Sequence, residues 1–359
     1  MKFVILSDTH CGIRNSSSIF IDYQERFYSE VLFPYMLEND IKHIVHLGDY
    51  YENRKFINFR ALNANRVHFL AKLREYGMTM DIIPGNHDTY FRNTNDLNSL
   101  KELLGHYMEE VNIIMKPTVM TYDGMKMALI PWIAPDNHKK TMSFLKRCKA
   151  DILGAHLELA GFEVYPGMKM AHGMDTEPFS KFEMVLSGHY HTKSHSDNIY
   201  YLGSQMEFFW NDAGDPKYFH VMDTSNRELT PVQNPITLFE KIYYNDGDNS
   251  PYDNNHWFNC DLDYLNDKFV KVIVVDKNDL YQFEQFIDRV QNMQIHELKI
   301  AENFKEFVGE NVDDGQVDIE NTETLLDSYI DAVNTNLDKG VIKRQVNELM
   351  IEAQSLEIS

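Results

Sequence analysis

Cysteine is scarce. The three residues in 359, Cys11, Cys148 and Cys260, are too few and too widely spaced for a disulfide framework or a paired-cysteine metal clip. Long hydrophobic runs are missing as well: the longest apolar stretch, around residues 127–135, falls far short of the ~18 residues that cross a bilayer, so no membrane span is expected. The opening MKFVILSD reaches Asp8 after four apolar residues, too short for a secretory signal core, which makes a reducing cytoplasm the expected compartment. Positive charge is the third shortage. Lys and Arg number 34 against 55 Asp and Glu, a net charge of −21, which speaks against gripping nucleic acid by bulk electrostatics. What is abundant is apolar: 43% hydrophobic and 13% aromatic residues exclude a disordered or fibrous chain, and the length predicts about two domains with room for a third small element.

Residues 1–235 read as alternating strands and helices. Short apolar runs at 2–6, 42–47, 80–83, 126–131, 151–155 and 183–186 mostly lead into Gly, Asp, Asn or His, and the periodic stretches 22–38 and 58–76 are long enough for helices. This βαβαβ start predicts a parallel core with its chemistry in loops at strand C-termini. Shorter strands are expected at 199–202 and 218–222, and Pro231 with Pro235 marks a boundary. A βαβ-type unit follows within 236–308. It has a β-branched strand at 269–275, a helix at 278–292 with the stripe Leu280, Phe283, Phe286, Ile287 and Val290, and a strand at 295–300. Residues 309–323 carry six acids and no base and read as a linker. Residues 324–359 return to helix in two amphipathic stripes broken at Gly340, the first opened by Thr324 with Asp327 three residues on. Residues 301–359 hold 14 acids and 4 bases, so much of the negative charge sits in the tail.

Four short motifs end predicted strands: Asp8-Thr9-His10, Gly48-Asp49, Gly85-Asn86-His87-Asp88 and Gly188-His189-Tyr190-His191, with His156 following the run 151–155. Singly, Asp8-Thr9-His10 and Gly48-Asp49 are ordinary turns. As an ordered set they bring Asp and His to adjacent strand ends, which is what a pair of divalent cations about 3.5–4 Å apart requires. Mixed imidazole, carboxylate and amide donors suit Mn, Fe or Zn better than Ca or Mg. The Arg54-Lys55, Arg60, Arg66, Lys139-Lys140 and Lys146-Arg147-Lys149 positions suit either a DNA-tracking surface or ordinary solvated helix faces.

The ordered set resembles the calcineurin-like metallophosphoesterases, whose signature runs DxH, GD, GNHD or GNHE, a later lone His, and GHxH. The phosphoprotein phosphatases of that superfamily carry GDxxDRG and GNHE, whereas this chain has Gly48-Asp49-Tyr50-Tyr51-Glu52-Asn53-Arg54 and GNHD. A helix-containing insertion after GD, a βαβ cap and a C-terminal helical pair look instead like the SbcD-type nuclease subunits of double-strand-break repair complexes, including the recombination endonuclease subunits of T-even-type phages. The resemblance spans essentially the whole chain and is tightest over residues 1–235.

It implies an α/β fold: a calcineurin-like metallophosphoesterase core with mixed sheets flanked by helices (1–235), a small α/β cap domain (236–308), the acidic linker (309–323) and a helical partner-binding segment (324–359). Carried over position by position, Asp8, His10 and His191 hold one metal, Asn86, His156 and His189 the other, and Asp49 bridges. Strand-end placement favours His156 over His172 as the lone ligand. His87 is expected to be a non-ligand imidazole facing the scissile phosphate, with Asp88 fixing its tautomer or serving as a turn or helix cap. SbcD-type enzymes often carry a second histidine three residues after the GD aspartate; here that place is Glu52, whose carboxylate beside a phosphodiester needs protonation or a partner such as Arg54.

The implied function is a two-metal DNA nuclease, both exonuclease and endonuclease, loaded with Mn2+ or alternatively Mg2+. It would act as a homodimer with an SbcC-like SMC-type ATPase docked on the C-terminal helices, in the host cytoplasm if the chain is phage-encoded. That partner would supply the DNA grip an acidic chain lacks. The alternatives are a small-molecule or phosphoprotein phosphoesterase of the same superfamily and a non-catalytic metal-binding scaffold.

Overall fold

The apolar runs of the front half form two six-stranded sheets stacked face to face. The computed structural model describes residues 1–301 except 171, 249 and 254, together with 339, 340 and 343. In the first sheet the strands run in the order Glu228–Gln233, Tyr218–Asp223, Lys2–Leu6, His43–His46, Thr79–Ile82 and Val111–Ile113, with the last four mutually parallel. The second runs Ser194–Ser196, Ile199–Tyr201, Met184–Gly188, Ile152–His156, Met125–Ile130 and Thr118–Tyr122, its four middle strands parallel.

Side-chain alternation builds the layers. Phe3 and Ile5 face Met127, Leu129, Ile152 and Leu186 in a core between the sheets. Val4 and Leu6 face outward, onto the helical stretches at 18–38 and 59–75. Leu153, Ala155 and Val185 face the other way with Leu145 of the helix His138–Arg147. Strands buried on both faces read as continuous apolar runs, which is why they were legible. Both expected front helices form, each interrupted by a π-helical turn, Phe27–Leu32 and Arg66–Leu70.

Two details differ from the expectation and one element was missed. Of the proline pair, Pro231 lies inside the strand Glu228–Gln233, which tolerates it because that strand is at the sheet edge. Leu280 leaves the apolar stripe and is 57% exposed, because it is the first helical residue after the Asp279 cap and falls outside the packed face. The hairpin Thr118–Tyr122 to Met125–Ile130 was missed, although Asp123-Gly124, both with positive φ, is a strong two-residue hairpin signal.

A third, fully parallel sheet joins Phe239–Asn245, Phe269–Asp276 and Glu297–Ala301, crossed by the helix Leu280–Gln291. It has its own core of Tyr244, Trp257, Val272, Phe286 and Val290. The buried Glu207 carboxylate ties its first strand to the front half, accepting from Leu238 N at 2.6 Å and Phe239 N at 2.9 Å. The expected linker at 309–323 and helical pair at 324–359 lie outside the described residues apart from 339, 340 and 343. No helix among the described residues is long and apolar enough to cross a membrane.

Candidate metal centre

Parallel strands send their C-terminal ends to one rim, and the five motifs meet there. Asp8 and His10 leave the strand Lys2–Leu6, Asp49 leaves His43–His46, and Asn86 to Asp88 leave Thr79–Ile82. His156 ends its strand opposite Gly188, after which His189 and His191 follow. Close approach needs glycine at two points. Gly48 has φ 96°, and a Cβ there would lie 2.7 Å from both Gly85 N and His156 Nδ1; a Cβ on Gly85 would collide with the Asp49 carboxylate. Asp8, His10, Asp49 and His189 have φ of 53°, 45°, 54° and 94°, a left-handed backbone concentrated on the candidate ligands. Such strain persists only where the surroundings enforce it, and it clusters at functional sites.

Two groups of donors converge. In the first, His10 Nε2 lies 3.1 Å from His191 Nε2 and 3.9 Å from Asp8 Oδ1. In the second, Asn86 Oδ1 lies 2.9 Å from His156 Nε2 and 3.0 Å from His189 Nδ1. Asp49 Oδ2 sits between the groups, 3.2 Å from His156 Nε2 and 3.9 Å from His10 Nε2. Backbone amides hold the carboxylates from behind: Asp8 accepts from His189 N at 3.1 Å, and Asp49 Oδ1 accepts from His87 N at 2.8 Å. His156 Nδ1 donates to Leu47 O at 2.8 Å, which leaves Nε2 as the nitrogen turned to Asn86 and Asp49. His172 is exposed and is in none of the converging groups.

The electrostatics prepare opposite protonation states. Burial alone raises Asp49, yet His156, His87 and His10 together hold its carboxyl well below the usual range, so it is ionised. Burial opposes protonation of His156, but the Asp49 charge beside it pushes the imidazole up to about 9. Burial, then the neighbouring His10 and Lys217 charges, keep His191 neutral. Asp8 is raised, mainly by burial.

His87 and Asp88 do not form the expected pair. The His87 Nδ1 contact at 2.7 Å is with the carbonyl oxygen of Glu52. The buried Asp88 carboxylate instead accepts from Gly85 N at 2.9 Å and from Tyr50 N and Tyr51 N at 3.1 Å, stapling the Gly48 loop to the Gly85 loop. Adjacent residues in a tight turn point apart, so neighbourhood in sequence misled. Burial and the Asp49 charge push Asp88 up to about 6. Glu52 turns inward, its Oε2 2.6 Å from His10 Nδ1.

Sequence reasoning also missed supporting groups. Lys217, buried, donates to His191 O at 3.0 Å while paired with Asp212 at 2.6 Å and Asp215 at 2.9 Å. Trp132 sets its ring 5.5 Å from His189. His46, buried and pushed down to about 3, lies 3.1 Å from Thr9 Oγ1 behind the Asp8 loop. Lys217 carried no sequence signal, whereas His46 ends an apolar strand as the ligands do.

The donors fit divalent cations. Two buried imidazole nitrogens facing each other, and an amide oxygen and a carboxylate oxygen against a third, set lone pairs together in a way that a cation satisfies. Asn86 Nδ2, buried and without a hydrogen-bond partner among the described residues, leaves Oδ1 as the atom turned to the centre. Three sets of side chains converge closely enough to hold an ion: Asp8, His10 and His191; His10, Glu52 and His87; and Asp49, His156 and His189.

The calcineurin-like phosphoesterase family model matches residues 1–193. Exonuclease subunit 1 of Enterobacteria phage T4 is 30% identical over 359 aligned positions, covering 98% of this chain and 99% of that one. Among solved structures, an archaeal phosphodiesterase aligns over 65% of this chain and all of its own, at 16% identity and a TM-score of 0.34, too low to bear on the fold.

Proposed function

The chain belongs to the calcineurin-like phosphoesterase family, and from that premise we propose that it is a two-metal DNA nuclease, the phosphodiesterase subunit of a recombination or repair complex. The observation that carries the reading is the Asp49 carboxylate lying between two complete donor groups, with the His87 ring beside them, 4.9 Å from the His10 ring. Asp8, His10 and His191 would hold one ion, Asn86, His156 and His189 the other, and Asp49 both. Divalent ions bound there would supply Lewis acidity and an activated water for in-line attack at phosphorus. The protein's own contribution is to fix the donors, exclude bulk water from the buried carboxylates and present His87. Its Nδ1 faces the Glu52 carbonyl, so Nε2 is the atom to stabilise or protonate the departing 3′-linked oxygen.

Relatedness to an exonuclease subunit supports a polynucleotide substrate. So do the loops beside the site. Arg54, Lys55, Phe56, Phe59 and Arg60 follow Glu52, and Tyr90, Phe91 and Arg92 follow His87. Phe56 is 66% and Phe59 86% exposed, and interleaved basic and aromatic side chains suit the backbone and bases of an opened strand. For a chain of net charge −21, an SbcC-like ATPase bound through residues 324–359 would supply the remaining grip, and a second copy of the chain would complete the assembly. Mn2+ suits the mixed donor set better than Mg2+.

The test is cleavage of labelled linear duplex and single strands in Mn2+ or Mg2+, with and without the ATPase. Metal-dependent shortening is expected from the chain alone, with ATP-dependent stimulation by the partner that is lost when residues 324–359 are deleted. Hydrolysis of phosphomonoesters or phosphopeptides with intact DNA would assign the site to another branch of the family, and loss of neither DNA nor phosphoester would leave a scaffold.

A further inference from the structure

We infer that Glu52 is a positioning residue for the centre, a carboxylate clamp behind His10 that tightens one of the two metal sites and leaves the other unaffected. This rests on the two-ion reading above. Three backbone hydrogen bonds place Glu52: His10 N donates to Asp49 O at 3.0 Å, Cys11 N to Tyr50 O at 2.8 Å and Glu52 N to Cys11 O at 3.1 Å. They zip the Asp49 loop to the Asp8 loop beyond the end of the sheet, and they fold the Glu52 side chain back under the His10 ring. Oε2 then lies 2.6 Å from His10 Nδ1, an ion-pair approach set off the axis of a straight hydrogen bond. The ring's other nitrogen, Nε2, is the atom turned to His191, Asp8 and Asp49.

A negative charge behind an imidazole does two things to a ligand. It favours the tautomer with its proton on Nδ1, which frees the Nε2 lone pair, and it makes that lone pair more basic. The carboxylate is mostly buried, with 15% side-chain exposure, so water screens the effect little. The carboxylate is turned to His10, which removes the conflict with a phosphodiester expected from sequence. The same residue's carbonyl oxygen meets His87 Nδ1 at 2.7 Å, so one position orients a ligand through its side chain and the phosphate-facing imidazole through its backbone.

The claim is site-selective because, of the two sets assigned to ions, only Asp8, His10 and His191 contains His10; its further convergence with Glu52 and His87 is the clamp itself. Removing a carboxylate of this kind typically weakens metal affinity 10- to 100-fold. The experiment is calorimetric titration of Mn2+ into the full-length metal-free protein, as wild type, Glu52→Ala and Glu52→Gln, alongside thermal melts and hydrolysis of bis(p-nitrophenyl) phosphate. Expected are two Mn2+ sites in the wild type, about 10- to 100-fold weakening of one in Glu52→Ala with the other moved less than about twofold, and a smaller loss in Glu52→Gln, whose amide oxygen still faces Nδ1. Turnover at saturating Mn2+ should recover to within a fewfold, since Glu52 acts through the hold on the ion. If Glu52→Ala does not fold, the one-site loss in Glu52→Gln carries the test. Two wild-type sites that both survive unchanged in the variants, or that weaken equally, overturn the clamp alone. Fewer than two Mn2+ in the wild type overturns the two-ion reading on which it stands.

Discussion

Replacing Asp49 by Asn should remove both metals while leaving the fold in place. The substitution is close to isosteric, and Asn is among the few side chains that accept the left-handed backbone held at φ 54°, so no new strain is added. The Asn Oδ1 can keep the hydrogen bond from His87 N. What disappears is a buried negative charge whose second oxygen lies 3.2 Å from one ligand nitrogen and 3.9 Å from another in the opposite donor group. Even between unit charges about 4 Å apart at an effective dielectric near 20 the attraction is about 4 kcal/mol, and a divalent ion carries twice the charge. The corresponding loss is at least about three decades of affinity at each site. Mn2+ calorimetry on the metal-free protein should therefore show neither binding event at micromolar concentrations, and nuclease activity should vanish while the melting transition persists. Retention of one ion at wild-type affinity would show that Asp49 serves a single site, and cleavage near the wild-type rate would refute the dinuclear assignment.

His87→Ala is expected to slow cleavage by about 10²- to 10⁴-fold with Mn2+ stoichiometry unchanged, as befits an acid or charge stabiliser outside the ligand set; loss of an ion on metal analysis would make it a ligand. Asp88→Ala should act on stability, because it strands the buried amides of Gly85, Tyr50 and Tyr51; a loss of roughly 3 kcal/mol or more by urea denaturation is expected, and an unaltered midpoint with slowed cleavage would restore Asp88 to the catalytic pair. Glu207 supplies a pH signature. Burial raises it to about 7 against an ordinary 4.5, so its protonated form favours the fold: that contribution is complete below about 4.5 and is lost as pH rises through 7. Glu207→Gln should thus match the wild type near pH 4.5 and exceed it by up to about 3 kcal/mol above pH 7, where equal denaturation midpoints would contradict the shift.

The candidate ligands stand out in the sequence because each type of signal is local. An apolar run ending in Gly or Asp marks a parallel strand reaching its C-terminal edge, and Asp8, Asp49, Asn86 and His189 all follow such runs. The groups behind them were not legible, since their positions depend on how loops cross. Nothing in Glu52-Asn53-Arg54 tells that residue 52 folds beneath His10, because the hydrogen bonds that send it there come from a loop some forty positions earlier. Asp88 misled for the opposite reason: its neighbour in sequence was the obvious partner, yet it caps amides on another loop. Lys217 and Glu207 carry no motif around them and are both buried. Pro231 is a boundary signal in most contexts, and only its place on an edge strand makes it part of the sheet.

The left-handed backbone at four of the candidate ligands sets limits on redesign. Asp, Asn and His are the side chains that tolerate positive φ best, so positions 8, 10, 49 and 189 already hold residues chosen from the short menu their backbone allows. Introducing Glu, Cys or a β-branched residue at any of them to recruit a softer or harder metal would lose the donor geometry and add backbone strain of order 1–3 kcal/mol. Asn86, His156 and His191 are not among the positive-φ residues. An engineer altering the metal preference of this phosphoesterase fold should therefore confine ligand exchange to those three places, and libraries that randomise all seven will be depleted at the other four by folding before selection for metal begins.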